Sequence, residues 1–150
     1  MGEDDLALME TAIDAWLAHA RGENPVIAAV DRDAEVPRRW YVRLTGEEKD
    51  FTTIWFTLGQ RTLRYETYVM PAPEENHAEF YEHLLRRNET VVGAHFSIGA
   101  EDAVFLRGEL PVAALDPQEL DRILGTLYAT VEHCFRPALA IGFASRFRNG

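Results

Sequence analysis

A histidine and a glutamate near the middle of the chain come closest to a known catalytic motif. His77 and Glu79 form the His-x-Glu pair with which zinc-dependent deaminases bind a metal ion and move a proton. That chemistry also requires a downstream Pro-Cys-x-x-Cys segment, and the chain has one cysteine, Cys134. The pair therefore does not predict a deaminase.

The other histidines and the cysteine are not spaced as metal ligands or as a nucleophile with its base. His77 and His83 are six residues apart on a predicted helix, which places them on nearly opposite faces. The adjacent His133 and Cys134 diverge in the same way, and a lone cysteine on the inner side of a helix is usually a small buried hydrophobe. We predict no catalytic residue, no metal ion and no cofactor, and hence a protein that is not an enzyme.

Composition and charge restrict the classes of partner. Fifteen basic residues against 25 acidic residues give a net charge of −10, which repels nucleic acid and anionic membrane surfaces. No apolar run approaches the roughly 20 residues of a membrane span. The 150 residues suit one domain with one core. We expect a single domain over residues 1–150 that binds neither nucleic acid nor membrane.

The amino terminus and the cysteine usage indicate a cytoplasmic protein. Residues 1–5 are acidic where a secretory signal would be basic, and the apolar stretch after them is interrupted by Glu10 and Asp14. A single cysteine excludes an intramolecular disulfide, which is typical of a reducing compartment.

Three helices are predicted from apolar residues that recur every three or four positions. The first follows Asp4 and Asp5 and is closed by Gly22, and the second, which carries His77, runs from residue 74 to residue 87. The third begins at Asp116 and Pro117, where a proline needs no amide donor. Pro137 should kink or stop this third helix.

Five strands are predicted from stretches rich in β-branched and aromatic residues, at positions 39–44, 51–58, 62–70, 94–98 and 103–110. The first three form an antiparallel meander and the last two a hairpin. For residues 23–37 the sequence pattern does not decide between a short strand and a linker. The order α-β-β-β-α-β-β-α predicts an α+β fold, with one antiparallel sheet packed by helices.

Alternation along these strands sorts their side chains onto two faces of the sheet. The face towards the helices is apolar and comprises Trp40, Val42, Leu44, Ile54, Phe56, Leu58, Leu63, Tyr65, Val69, Ala94, Phe96, Ile98, Val104, Leu106 and Leu110. The opposite face mixes aromatic and charged residues: Tyr41, Arg43, Trp55, Arg64, Glu66, Tyr68, His95, Ser97, Phe105, Arg107 and Glu109. Aromatic residues and arginine are enriched in protein interfaces, although such pairs also stabilise an exposed sheet.

Several segments together are similar to a known family. They are the residues at 55–59, 63–73, 80–81 and 93–96, within a similar region of residues 37–147. The chain resembles the actinobacterial form of the YbjN-domain family, described as bacterial sensory transduction regulators. The resemblance implies a fold like that of type III secretion chaperones, which agrees with the predicted order. It also implies a small acidic protein, often a dimer, that holds a partner chain.

We predict a chaperone-like or regulatory protein-binding module, a homodimer whose outer sheet face contacts protein partners. The predicted partner-binding residues are Tyr41, Trp55, Arg64, Tyr68, Phe105 and Arg107. Two alternatives stay open. One is a small-ligand sensor or an enzyme of unknown chemistry, with a pocket between sheet and helices. The other is a structural subunit whose outer face closes a permanent dimer.

Overall fold

Three long helices and six strands make up the described part of the chain, residues 2–147 of a computed structural model. The helices are α1 (Glu3–Glu23), α2 (His77–Asn88) and α3 (Pro117–Gly142), and a short helix, α4 (Ala144–Phe147), follows them. The strands are β1 (Ile27–Arg32), β2 (Arg39–Thr45), β3 (Phe51–Leu58), β4 (Thr62–Met70), β5 (His95–Ile98) and β6 (Val104–Pro111).

The strands form one antiparallel sheet in the order β1-β2-β3-β4-β6-β5. The predicted α+β fold, the β2-β3-β4 meander and the β5-β6 hairpin are confirmed. The hairpin joins the sheet through β6, so β5 becomes an edge strand. The segment that the sequence left open contains β1, which pairs with β2 and forms the opposite edge.

The three long helices pack on one face of the sheet and enclose the core. Their buried apolar residues include Leu6, Ile13, Leu17, Phe80, Leu84, Leu120, Leu127 and Val131. Along β3 the side chains alternate between buried and more exposed over all eight residues, as the sequence pattern predicts. Because one face of the sheet is buried, a slip of one residue would expose the whole apolar set, and this fixes the register of the strands.

Two residues assigned to the inner face lie outside the fully buried core. Ile98 is 54% exposed, and Leu110 is half-buried. Ile98 is the last residue of the edge strand β5, and it lines an apolar groove beside α2 instead of filling the core. The remaining inner-face assignments are confirmed, since all of those side chains are buried.

A local irregularity ends the alternation in β4. The register between β4 and β6 shifts between Tyr68 and Met70, and the consecutive residues Val69 and Met70 are both buried. Such a bulge re-aims the side chains that follow it. Tyr68 is therefore the last β4 residue that points away from the helices.

Helix α3 begins where the sequence predicts and continues past the proline that was expected to kink or stop it. The Asp116 carboxylate accepts a hydrogen bond of 2.8 Å from the Glu119 amide, which caps the helix, and Pro117 occupies its first turn. The helix runs through Pro137 to Gly142. Ala138 and Phe143 are buried on the far side of the proline, and their packing offsets the backbone hydrogen bond that Pro137 cannot donate.

Candidate protein-binding surface

The outer face, defined as the face of the sheet opposite the helices, is a continuous surface across all six strands. One row of paired residues crosses it from edge to edge: Asp31, Tyr41, Trp55, Glu66, Arg107 and His95. Side chains that are paired across strands stand about 5 Å apart at Cβ, within contact of one another. The six predicted partner-binding residues all lie on this face.

Three aromatic residues form a cluster on the outer face. The Phe105 ring makes edge-to-face contacts with Trp55, at 6.3 Å between ring centroids, and with Tyr68, at 5.7 Å. Each contact of this kind stabilises by about 1 kcal/mol beyond the area that it buries. Phe105 is only 8% exposed, whereas Trp55 is half-buried and Tyr68 is exposed. Phe105 is thus the floor of the cluster, and Trp55 and Tyr68 present its accessible surface.

Gly99 allows the Phe105 ring to lie this low. A Cβ atom at residue 99 would stand 2.4 Å from Phe105 Cδ2 and 2.8 Å from an Arg107 guanidinium nitrogen. Real Cβ atoms do not approach a ring so closely, so a side chain here would displace Phe105 or Arg107. The glycine in the β5–β6 connection therefore shapes the cluster as well as the turn.

Arg107 closes one side of the aromatic cluster. Its guanidinium carbon lies 4.3 Å from the Phe105 ring centroid, and its Nε donates to the Glu66 carboxylate at 3.3 Å. A second guanidinium nitrogen donates to Ser97 Oγ at 3.3 Å. The ion pair is partly exposed and contributes at most about 1 kcal/mol. Arg107 is therefore held in place by partners within its own chain.

The other outer-face arginines are less engaged. The Arg43 guanidinium carbon stacks 3.7 Å from the Phe51 ring centroid, and Arg39 Nε donates to Thr57 Oγ1 at 2.9 Å. Arg64 is exposed and is paired in register with Thr57 and Glu109. None of these three arginines forms a salt bridge with any residue in the range 2–147. The charge of Arg39 interacts with the Asp33 carboxylate, whereas those of Arg43 and Arg64 remain available to a ligand.

Tyr41 contributes its ring to the face while its hydroxyl is occupied. The hydroxyl donates to the Asp33 carboxylate, which also accepts from the amides of Glu35 and Val36. These hydrogen bonds, that of Tyr41 foremost, lower the pKa of Asp33 to about 2. The same contact raises the pKa of Tyr41. The Tyr41 hydroxyl is therefore already satisfied and adds little polar recognition.

The structure separates the predicted site residues into one compact group and two outliers. Trp55, Tyr68, Phe105 and Arg107 are in mutual contact or share neighbours. Tyr41 is the cross-strand neighbour of Trp55, and Arg64 lies one row away, beside Thr57. The prediction did not include Phe51, although it follows the same alternation along β3 and could have been found from it.

Lys49 is the only lysine in the sequence and lies at the margin of the cluster. From the β2–β3 loop its Nζ donates to the Tyr68 carbonyl oxygen at 2.7 Å, 5.3 Å from the Tyr68 ring centroid and 5.8 Å from that of Phe135. Burial disfavours the charged amine and lowers its pKa from 10.5 to about 8. No periodic pattern in the sequence indicates this position.

The free energy of unfolding is expected to rise as the pH increases from about 8 to 9. The Lys49 amine has a lower pKa in the folded chain than in the unfolded chain, so in this range the unfolded chain binds more protons and a higher pH favours folding. The slope should be at most about 1 kcal/mol per pH unit. Burial of Cys134, which raises its pKa from 9.0 to about 12, has the opposite effect, which is small at pH 8 and grows towards pH 9. Urea unfolding across this range should show the rise in the parent chain and no rise, or a shallow fall due to Cys134, in Lys49→Met. An equal slope in both proteins would remove Lys49 as its source.

The residues with catalytic or metal-binding potential are dispersed. Cys134 is buried, and its raised pKa keeps the thiol protonated at neutral pH. Within residues 2–147 no three His, Cys, Asp or Glu side chains are close enough to share a metal ion. Over the same range, no helix combines the length and the apolar character that crossing a membrane requires.

A cleft of about 520 Å³ lies between the sheet and the helices, bounded by α1, α3 and the ends of β1 and β2 near Ile27 and Leu44. This cleft opens near His19 and Tyr128, and a second cleft of similar volume lies between α2 and α3 near Arg87 and His133. Glu66 and Arg107, two polar residues of the row that crosses the sheet, lie on the open outer face.

Comparison with known families gives a match over most of the chain. A family model described as "Putative bacterial sensory transduction regulator", named YbjN, matches residues 10–139. The chain belongs to the YbjN family. A relative from Mycobacterium tuberculosis, Uncharacterized protein Rv0487, is 32% identical to this chain over 114 residues. The matched stretch covers 76% of this chain and 62% of that protein. A Mycobacterium leprae protein, ML2442, is also 32% identical, over 71% of this chain and 58% of its own length. The YbjN chain thus spans about six tenths of these mycobacterial relatives.

Solved structures confirm the predicted chaperone-like fold. The YbjN chain superposes with a TM-score of 0.57 on a chain of the heterodimeric ExoU–SpcU complex from the type III secretion system of Pseudomonas aeruginosa, at 16% identity over 84% of this chain and 96% of that one. On a chain of the HopA1–SchA chaperone–effector complex the TM-score is 0.60 at 10% identity, and the match covers 91% of this chain and 99% of that one. On a chain of the ExsC–ExsE complex the TM-score is 0.55 at 19% identity, and the match covers 85% of this chain and 93% of that one. At these identities the likeness concerns the fold alone.

Proposed function

We propose that this YbjN chain is a cytoplasmic, non-enzymatic module that binds a segment of a partner protein on its outer face. The observation that carries this proposal is the cluster of Trp55 and Tyr68 on the Phe105 floor, flanked by Arg107. The three similar structures are complexes of two proteins, which supports a partner protein here as well.

The composition of the cluster suits a binding surface. Trp, Tyr and Arg dominate the binding energy of protein interfaces, because they bury a large area and lose little conformational freedom. Here Phe105 and Glu66 hold the accessible side chains in place before a partner arrives. Preorganisation of this kind lowers the entropy cost of binding.

We also propose that two copies associate through the β5 edge and α2, which leaves the outer face free. Leu85 and Ile98 are exposed and line an apolar groove of about 250 Å³ together with Tyr81 and Phe96. Among residues 2–147 no strand pairs with the outer side of β5, where the Asn88 side chain accepts from the Phe96 amide at 2.6 Å and donates to the Phe96 carbonyl oxygen at 3.4 Å. Because Asn88 already occupies these backbone groups, the contact between copies is formed by the apolar groove, packed on the same groove of the second copy about a two-fold axis.

Replacing Trp55 and Tyr68 together with serine is expected to weaken partner binding by about 100-fold while the chain remains folded. Each side chain is a candidate hot spot, and about 3 kcal/mol of lost contact corresponds to that factor. The measurement is affinity capture from an extract of the native host with identification by mass spectrometry, followed by titration of the purified partner. Leu8→Ser with Phe147→Ser, two exposed apolar residues outside the sheet, is the matched control and should bind as the parent does.

Unchanged capture by the Trp55/Tyr68 variant would reject the outer face as the binding surface.

Sedimentation velocity of the same proteins tests the dimer. The parent chain and this variant should both sediment as dimers, since the substitutions lie away from the β5 edge. If the variant alone is a monomer, the outer face is the dimer interface. If the parent is a monomer, the β5-edge dimer is wrong.

A further inference from the structure

We infer that the partner segment held on the outer face is acidic and extended, with apolar or aromatic residues between its carboxylates. This inference rests on the proposed function and specifies the chemistry of the partner. It follows from three observations: the charge of the sheet, the pairing of its arginines, and their placement around the aromatic residues.

The sheet has the opposite charge balance to the chain as a whole. The outer face of the six strands carries four arginines, Arg39, Arg43, Arg64 and Arg107, and three acidic residues, Asp31, Glu66 and Glu109. The complete chain carries 25 acidic and 15 basic residues. At physiological ionic strength charges act over about 8 Å, so a bound segment responds to the local excess of arginine more than to the remote acids.

Most arginines outside the outer face already have a carboxylate partner. Salt bridges hold Arg32, Arg38, Arg86, Arg122, Arg136 and Arg146. By contrast, Arg39, Arg43 and Arg64 lack a salt bridge with the residues that the structure describes, although acids are in excess in the chain. Arginine is the side chain best suited to carboxylates, which it can bind through two parallel hydrogen bonds. Arg39 also interacts with the Asp33 carboxylate, so Arg43 and Arg64 are the groups that favour an external acid.

The three arginines lie on either side of Tyr41 and Trp55, which are a cross-strand pair. Tyr41 and Trp55 are neighbours in the row that crosses the sheet. Arg39 and Arg64 are the cross-strand neighbours of Thr57, on one side of this pair, and Arg43 lies two residues from Tyr41 along β2 on the other side. Two residues of a strand span about 7 Å, close to the side-chain repeat on one face of an extended peptide. An extended segment over Tyr41 and Trp55 would therefore place apolar side chains on the rings and carboxylates beside the arginines.

Two other occupants fit less well. A second copy laid face to face would bring the same unpaired arginines towards one another. A single-stranded nucleic acid can stack on aromatic rings beside arginines, but the net charge of −10 opposes its approach. An acidic protein segment also carries a net negative charge, but its charge density is lower, and its carboxylates match the arginines directly.

The test uses defined polymers in place of the unidentified partner. Binding of the full chain to a random glutamate–tyrosine copolymer, a lysine–tyrosine copolymer and an oligothymidylate is measured by biolayer interferometry. The chain should bind the glutamate–tyrosine copolymer in preference to the other two. Arg43→Gln with Arg64→Gln should weaken that binding by about tenfold. Arg86→Gln with Arg136→Gln, the same charge change on the helices, should leave it within about twofold.

Preference for the lysine–tyrosine copolymer or the oligothymidylate, absence of binding to all three polymers, or equal loss in the two arginine variants would overturn the inference. Its failure is distinguishable from failure of the proposed function. If the Trp55/Tyr68 variant loses a captured partner while the Arg43/Arg64 variant retains it, the chain is a binding module whose partner is not acidic.

Discussion

Gly108→Ala is expected to lower the free energy of unfolding by about 3 kcal/mol. Gly108 lies on the inner face of β6 opposite Tyr65, and a Cβ atom there would stand 2.2 Å from the Gly93 carbonyl oxygen and 2.5 Å from Tyr65 Cε2. Neither neighbour can move cheaply. The Tyr65 ring is buried, and its hydroxyl donates to the same Gly93 oxygen at 2.7 Å. Urea unfolding of parent and variant measures the difference.

Gly125→Ala is the control for this substitution. Gly125 is exposed in α3, and a Cβ atom there would have no neighbour within 4 Å. Alanine should stabilise this helix by about 0.5–1 kcal/mol, because glycine loses more backbone freedom on folding. If both alanine variants shift the unfolding midpoint in the same direction, the steric account of Gly108 is wrong.

Leu17→Ala should cost about 3–4 kcal/mol of unfolding free energy. Leu17 is completely buried in α1, which packs behind β1, and truncation leaves a cavity in a core that cannot fully close around it. Leu8→Ala, in the same helix, removes the same atoms from a side chain that is 71% exposed and should change stability by less than about 0.5 kcal/mol. The pair is compared by urea unfolding monitored by circular dichroism. Similar losses in both would mean that α1 does not pack as described.

The parts of the fold that local patterns determine were predictable from the sequence. The predicted bounds of β3 and β4 equal the observed ones, because alternation is regular there and turn residues flank both strands. Strand β1 was left open because its stability depends on distant residues. Arg32, at its end, donates to Glu10 at 2.6 Å and to Asp14 at 3.2 Å, and both carboxylates belong to α1. No local window of sequence contains that contact.

From the sequence, the face of the sheet on which the candidate residues lie was predictable, but the contacts between their side chains were not. Alternation assigns Trp55, Tyr68 and Phe105 to one side of the sheet. Which rings touch depends on the order of the strands. Strand β6 lies beside β4 because, of the two strands of the β5-β6 hairpin, β6 pairs with β4 and β5 forms the edge. The burial of Phe105 depends further on the empty space at Gly99, which no pattern of strand residues reveals.

The position of Lys49 gives the protein a single site for a lysine-specific protease. In these 150 residues only the bond between Lys49 and Asp50 is a substrate, and its cleavage would separate β2 from β3. The amine must leave the Tyr68 carbonyl before it can enter the specificity pocket of the protease. The cleavage rate therefore measures how often this loop opens at the margin of the aromatic cluster. A segment bound across Tyr68 would slow cleavage after Lys49. The cleavage rate, followed by gel electrophoresis, therefore reports whether the surface is occupied.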